Sequence, residues 1–399
     1  MRPGLTSAGT VNGNGRRSAR AGAHLLLALL AATVLSLALA STASAYIYWA
    51  NDGSTSTTLG RSNLDGTGAN ESFITGGNVP CFVAIDANHI YWANTGGTTI
   101  GRANIDGNPG SINQSFITGA TAPCGVAVDA NYIYWTNDNK TIGRAPLSNP
   151  AAADQSFIPT ANEPCGVAVD ANHIYWANGN NSPGTTIGRA NIDGNPGSIN
   201  QNFITGASSP CGVAVDANYI YWGNYGIGSG TTIGRAPLSN PSAATQNFIT
   251  GASAPCGVAV DANYIYWGNF GSTTIGRAPL SNPSAANQNF VTGAQAPCGV
   301  AVDLLPLPSN TTISKATIKR KKGTATFSFT ADSATGFQCA LIKPKKKGKK
   351  KKPPATPNFS ACSSPRTYKR LGPGKYTFQV RGVNSAGADP NPAVRKFKI

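Results

Sequence analysis

The chain is poor in the residues that most often carry chemistry. Its 399 residues include three histidines and one methionine, and only 12% are charged. One histidine lies near the N-terminus. The other two, His89 and His173, stand at equivalent turn positions of repeated segments. No Ser-His-Asp order, Cys-His pair, metal-ligand cluster or phosphate-cradling glycine loop can be assembled from what remains. Beyond residue 45 no stretch shows an apolar period of 3.6 residues, which excludes amphipathic helices as building elements. After the N-terminal apolar run no second segment is long enough to span a bilayer. An enzyme built on a unique acid, base or metal ligand is therefore disfavoured. No cofactor and no metal are expected.

What is present begins with a leader. Arg16, Arg17 and Arg20 precede an apolar run from Leu25 to Ala40, and Ala43-Ser44-Ala45 is a small-x-small cleavage pattern. Residues 1–45 read as a secretory signal peptide, with an uncleaved anchor as the alternative. The remainder is expected to be secreted or on the cell surface. Charge is unevenly spread. Residues 46–303 carry seven Lys/Arg against fourteen Asp/Glu, and residues 304–399 carry twenty-one Lys/Arg against two Asp. An acidic body precedes a basic tail, so any electrostatic partner belongs to the tail.

The body repeats. Trp49, Trp92, Trp135, Trp176, Trp222 and Trp267 recur at intervals of 43, 43, 41, 46 and 45 residues. Each period holds four short runs rich in β-branched and aromatic residues, separated by Gly, Asn, Pro, Asp and Ser. Four antiparallel strands per period, six times over, predict an all-β fold: a six-bladed β-propeller over residues 46–303. The phase of the repeat predicts its closure. The body begins inside a unit at Tyr46 and ends with a spare first strand at Val300–Val302. That strand placed beside Ile47–Trp49 completes one blade and removes the open edges.

The Ile-Tyr-Trp strand, preceded by Gly-Val-Ala-Val-Asp and followed by Thr-Ile-Gly-Arg, resembles the YWTD repeats of low-density-lipoprotein-receptor-type propellers. The pair after Tyr-Trp departs from that family: it is Ala-Asn, Gly-Asn or, once, Thr136-Asn137. The flanking disulfide-rich modules are absent. The resemblance implies a propeller, not a lipoprotein-receptor role.

Repetition argues for structure. The six tryptophans are expected to pack between adjacent blades. Each arginine of Thr-Ile-Gly-Arg is expected to tie a strand to a neighbouring carbonyl or carboxylate. Each aspartate ending Val-Ala-Val-Asp is expected to bond its own turn. Cys81, Cys124, Cys165, Cys211, Cys256 and Cys298 each follow a proline at the start of a first strand. Strict alternation puts cysteine and the two valines of "CGVAVD" on one face, so that neighbouring cysteines do not meet and six buried thiols follow. The oxidising compartment argues for inter-blade disulfides instead, and a metal ring is the third option.

The loops between second and third strands vary most. Tyr225 and Phe270 lie there with no strand to bury them, and they are candidate anchors for a protein or glycan ligand. Residues 304–311 read as a linker, and residues 312–399 as a small β-sandwich. The segments "GFQCALIK" and "GKYTFQVRGVNSAGADPNPA" resemble immunoglobulin- or fibronectin-III-like modules of bacterial secreted proteins. That resemblance implies a Cys339–Cys362 disulfide between strands, worth roughly 3 kcal/mol. A lysine-rich loop at 343–352 interrupts the pattern. Within it Lys345, Lys346, Lys347, Lys349, Lys350, Lys351 and Lys352 offer a contact for anionic cell-wall polymers or a membrane surface. No aromatics interleave these lysines, which disfavours nucleic acid. The body and tail together read as an exported, non-catalytic binding or scaffolding protein. The alternatives are a lyase or hydrolase acting at the channel mouth, or a purely structural surface protein.

Overall fold

Every period of the body folds into the same four-stranded antiparallel sheet, which we call a blade. In the second blade the strands are Pro80–Ile85, His89–Asn94, Thr99–Asn104 and Asn113–Thr118, in spatial order. The computed structural model describes residues 45–399 apart from 54, 139, 180–183, 304–307, 335, 344–356 and 385–386. The leader and the lysines at 345–352 therefore lie outside the described residues. Among those described there is no α-helix, only short 3-10 turns between strands.

Six such sheets occur, and one draws on both ends of the body. Pro297–Val302 pairs with Tyr46–Asn51, which is followed outward by Thr58–Asn63 and Asn70–Thr75. The innermost strands are Pro80–Ile85, Val126–Val128, Pro164–Val169, Pro210–Val215, Pro255–Val260 and Pro297–Val302. Each neighbours the next around a closed circle. This is the arrangement of a β-propeller.

The tryptophans explain why the blades cohere. Trp92 is fully buried with Val83 and Ile90 of its own blade, against Tyr48, Leu59 and Ile74 of the blade before. The same Trp-on-Tyr packing joins the fourth blade to the fifth through Trp222, and the sixth to the first through Trp49. Each indole lies across the glycine of Thr-Ile-Gly-Arg, or of Thr-Leu-Gly-Arg in the first blade. A Cβ at Gly101 would sit 2.1 Å from the Trp92 ring. Each indole N–H also donates to an acid or amide side chain, as Trp92 does to Gln114 Oε1 at 3.1 Å.

The asparagine two residues after each tryptophan is buried, and in the second blade its side chain is fully used. Asn94 Nδ2 donates to Thr99 Oγ1 and to the Gln114 carbonyl, and its Oδ1 accepts from the Asn78 N–H. The arginines behave differently from the expected strand ties. Their guanidinium groups stack on aromatic rings of the outer strands: Arg235 lies 4.5 Å from the Tyr219 centroid and 4.0 Å from that of Phe248. Among the described residues, Arg144 and Arg277 also donate to a carbonyl of the next blade, those of Ile192 and Leu64. The planar, weakly hydrated cation finds an apolar slot with open faces, and stacking outcompetes a distant carbonyl.

The aspartates do bond their own turns. Asp170 Oδ1 accepts from the Asn172 and His173 N–H groups, and Oδ2 accepts from the Tyr175 hydroxyl. Burial acts to raise the Asp170 pKa, but these donors outweigh it and hold the carboxyl below its usual range. A carboxylate held low in the folded chain adds stability above its unfolded pKa and loses it as pH falls through the folded one. The stability difference between the native chain and Asp170→Asn is therefore expected to shrink as pH drops from about 6 to about 3. Urea midpoints across that range measure it. A difference that stays constant would remove the carboxylate from the account.

The tail forms two sheets. One contains Ser309–Lys319, Thr324–Asp332 and Arg366–Tyr368. The other contains Ser360–Cys362, Gly336–Ile342, Lys375–Asn384, Gly387–Ala388 and Ala393–Lys398. Phe327 of the first and Phe378 of the second stack at 4.2 Å, with Phe329, Cys339 and Val380 around them. The first strand begins at Ser309, ahead of the expected start at 312. A disulfide joins Cys339 to Cys362 across neighbouring strands of the second sheet.

Candidate functional site

The most unusual chemistry lies at one end of the central channel, and a repeated backbone irregularity creates it. In the second blade Pro80 pairs with Asn94 and Val83 pairs with Trp92. Two inner residues, Cys81 and Phe82, therefore oppose the single residue Ala93, which is a β-bulge. The same shift recurs between Pro164 and Val167, Pro210 and Val213, and Pro255 and Val258. A bulge breaks alternation, so cysteine and valine no longer share a face.

This corrects the expectation that neighbouring cysteines do not meet. Their sulfurs form a ring. Cys81 lies 2.9 Å from Cys124, Cys124 2.9 Å from Cys165, and Cys165 3.4 Å from Cys211. Cys256 lies 2.7 Å from Cys298, and Cys298 3.3 Å from Cys81. Cys211 and Cys256 are bonded as a disulfide, so the expectation of six free thiols is corrected too. Cys81, Cys124, Cys165 and Cys298 are free and buried. Hydrogen bonds from Cys124, and then from Cys165 and Cys298, lower the Cys81 pKa, whereas burial raises that of Cys298.

Beneath the sulfurs the inner strands touch backbone to backbone. A Cβ on Gly257 would meet the Cys298 carbonyl at 2.4 Å and Gly299 Cα at 2.6 Å. Five blades carry glycine at this position: Gly125, Gly166, Gly212, Gly257 and Gly299. The second blade carries Phe82. Its ring reaches across the axis to within 3.0 Å of where a Gly212 Cβ would be, and Phe82 is 6% exposed. The channel is thus filled below the sulfur ring.

Above the ring lies a rim that is not repeated. The residue after each buried asparagine is Asp52, Thr95, Asp138, Gly179, Tyr225 and Phe270 in successive blades. The tryptophans, asparagines and cysteines under these positions are copied six times, whereas the rim differs at every step. Tyr225 and Phe270 pack against the cysteine cluster and meet edge-to-face at 5.7 Å. Each is half-buried, so the structure places this predicted pair together at the mouth. Ile227, in the same loop as Tyr225, is 67% exposed. Lys140 and Glu163 bridge the third and fourth blades at 3.5 Å.

The rim is rigidly held. The residue before each Pro-Cys has a left-handed backbone: Val79, Ala122, Glu163, Ser209, Ala254 and Ala296, with φ between 39° and 51°. Such strain in non-glycine residues persists only where surroundings over-determine it. Here the rim supplies that constraint: Asp52 N–H donates to the Ala296 carbonyl, Thr95 N–H to that of Val79, and Gly179 N–H to that of Glu163. Asp52 stands over Cys81 and Cys298. Burial, and then the charge of Cys81, push its carboxyl pKa up to about 9.

Sequence reasoning found Tyr225 and Phe270 but missed Phe82, Asp52 and Thr95. The signals were present: one "CFV" among five "CGV", and a single unrepeated position following a repeated Trp-x-Asn. The lysines at 345–352 fall outside the described residues.

Comparison with known proteins reaches the fold. No family model and no curated protein matches the chain. The crystal structure of a nidogen/laminin complex is similar with a TM-score of 0.53 and 18% identity, over 65% of this chain and 98% of that one. The extracellular domain of a one-component system from B. thetaiotaomicron gives a TM-score of 0.39 and 12% identity, over 90% of this chain and 57% of that one. The first likeness supports the propeller-like, all-β fold of the chain. At these identities the likeness ends with the fold.

Proposed function

We propose that this is an exported, non-catalytic binding protein whose ligand surface is the channel mouth. The unrepeated rim carries the reading. Selection for structure alone copies a residue around the ring, as it has done for Trp, Gly, Asn and Cys, yet the six rim positions hold five residue types. An aromatic pair with an exposed isoleucine beside it is the usual form of a binding anchor on a rigid scaffold. The filled axis beneath makes the mouth a shallow cup, suited to a protein loop or a glycan rather than a threaded small molecule. The basic tail, an immunoglobulin- or fibronectin-III-like module in this reading, serves as a second contact for anionic envelope polymers.

The test is cosedimentation of residues 46–399 with cell envelopes of the source organism. Tyr225→Ala combined with Phe270→Ala is expected to lower the pelleted fraction about tenfold at physiological salt, as loss of an aromatic anchor does. Replacing the lysines at 345–352 by glutamine is expected to remove only the component released by salt. Unchanged pelleting in the rim variant would move the ligand surface elsewhere.

A further inference from the structure

We infer that Asp52, Cys81 and Cys298 form a binding site for Zn²⁺ at the floor of the channel mouth. The carboxylate oxygen and the two sulfurs all lie within 4.8 Å of one another. They come from three elements that the fold itself brings together. Asp52 follows the strand Tyr46–Asn51, Cys298 opens the strand Pro297–Val302, and Cys81 opens the strand Pro80–Ile85. The backbone links two of them directly, since the Asp52 N–H donates to the carbonyl of Ala296 at 3.2 Å, two residues before Cys298. The site is therefore assembled where the ring closes, not within one flexible loop.

Ligand chemistry selects the ion. Two thiolates with one carboxylate suit a borderline-soft cation that accepts both sulfur and oxygen. Magnesium and calcium would leave the sulfurs unused, and Cu(I) would leave the carboxylate unused. The geometry is close to what zinc needs. At Zn–S distances near 2.3 Å a tetrahedral angle separates two sulfurs by about 3.8 Å. Cys81 and Cys298 stand 3.3 Å apart, so a small opening suffices. Three protein ligands leave a fourth position for water or for a donor atom from outside. The other triplet of close ligand atoms, Cys211, Cys256 and Cys298, has two of its sulfurs tied in a disulfide and cannot serve. Binding releases the two thiol protons and any proton on the carboxyl, with no change of oxidation state.

Asp52 is also the residue that repetition does not explain. Its equivalents are Thr95, Asp138, Gly179, Tyr225 and Phe270, so a carboxylate at this position is not required by the blade. Beside it the only two thiols within ligand distance belong to blades one and two, among the described residues.

The experiment uses residues 46–399 purified without reductant, with free thiols mapped by alkylation and mass spectrometry. Zn²⁺ is then titrated against a chromophoric zinc indicator, and the loaded protein is examined at the zinc absorption edge. The expected result is one Zn²⁺ per chain with two sulfur ligands and the remainder oxygen. Asp52→Asn is expected to weaken binding at least about tenfold, Cys298→Ser to abolish it, and Cys124→Ser to leave it intact. Should Cys298→Ser fail to fold, Asp52→Asn still decides, because no repeated contact depends on that carboxylate. Three results would overturn the site: no binding while Cys81 and Cys298 are free, binding unaffected by Asp52→Asn, or a Cys81–Cys298 disulfide in the purified protein. None of these depends on envelope binding, so the metal site and the ligand surface fail separately.

Discussion

Trp176→Ala is expected to destabilise the body by about 3–5 kcal/mol, the range for truncating a large buried aromatic. Trp176 has no exposed surface, and it packs with Val167 and Ile174 against Tyr134, Ile142 and Ile158 of the preceding blade. Its ring lies across Gly188, where a Cβ would sit 2.1 Å from the indole, so the residue beneath it has no side chain to fill the void. The indole N–H bond to Gln201 is lost as well. Urea denaturation followed by circular dichroism measures the change. Ile227→Ala serves as the comparison: at 67% exposure it should shift stability by less than about 0.5 kcal/mol. Equal effects at the two positions would mean that inter-blade packing does not hold the ring.

Gly257→Ala is expected to cost about 3 kcal/mol, the upper end for forcing a methyl group into a packed interior. One methyl usually does little in a strand. Here its neighbours are the Cys298 carbonyl at 2.4 Å, Gly299 Cα at 2.6 Å and Val300 N at 2.8 Å, all backbone atoms of the next inner strand. Backbone cannot rotate aside, so the methyl has to push two blades apart, and a closed ring has no slack to take up the displacement. Gly110→Ala is the control, because its nearest neighbour is the Asn108 side chain at 3.4 Å and its turn is exposed. A normal urea midpoint for Gly257→Ala would show that the inner strands are looser than their spacing implies.

The contrast between these two sites shows which parts of the molecule could be read in advance. The tryptophan period, the four strands in each unit and the blade shared by both ends follow from local pattern, because strand alternation and repeat phase are written in consecutive residues. The turn aspartates were legible for the same reason. The sulfur ring was not. Whether Cys81 faces Cys124 depends on the bulge opposite Ala93, and a bulge is a property of two paired strands, invisible in either one alone. The arginines were half legible: Arg144 and Arg277 make the expected carbonyl tie, but the stacking was missed because the aromatic slot exists only after the blade forms. The rim was half legible. Tyr225 and Phe270 stood out as aromatics in variable loops, whereas Asp52 was one carboxylate among several until the fold set it above two thiols.

The blade shared by both ends of the body has one further consequence. Pro297–Val302 must reach Tyr46–Asn51 across some 250 residues of chain before that sheet is complete, and loop closure over such a distance is slow compared with hairpin formation. Five blades can assemble from consecutive hairpins as the chain is made. The shared blade waits for its last strand. Until then the edge of Tyr46–Asn51 is bare, although Tyr48 is fully buried once the blade is complete. That seam is where the molecule should open first under tension applied to its ends, and where a chaperone would find an unfinished edge to guard.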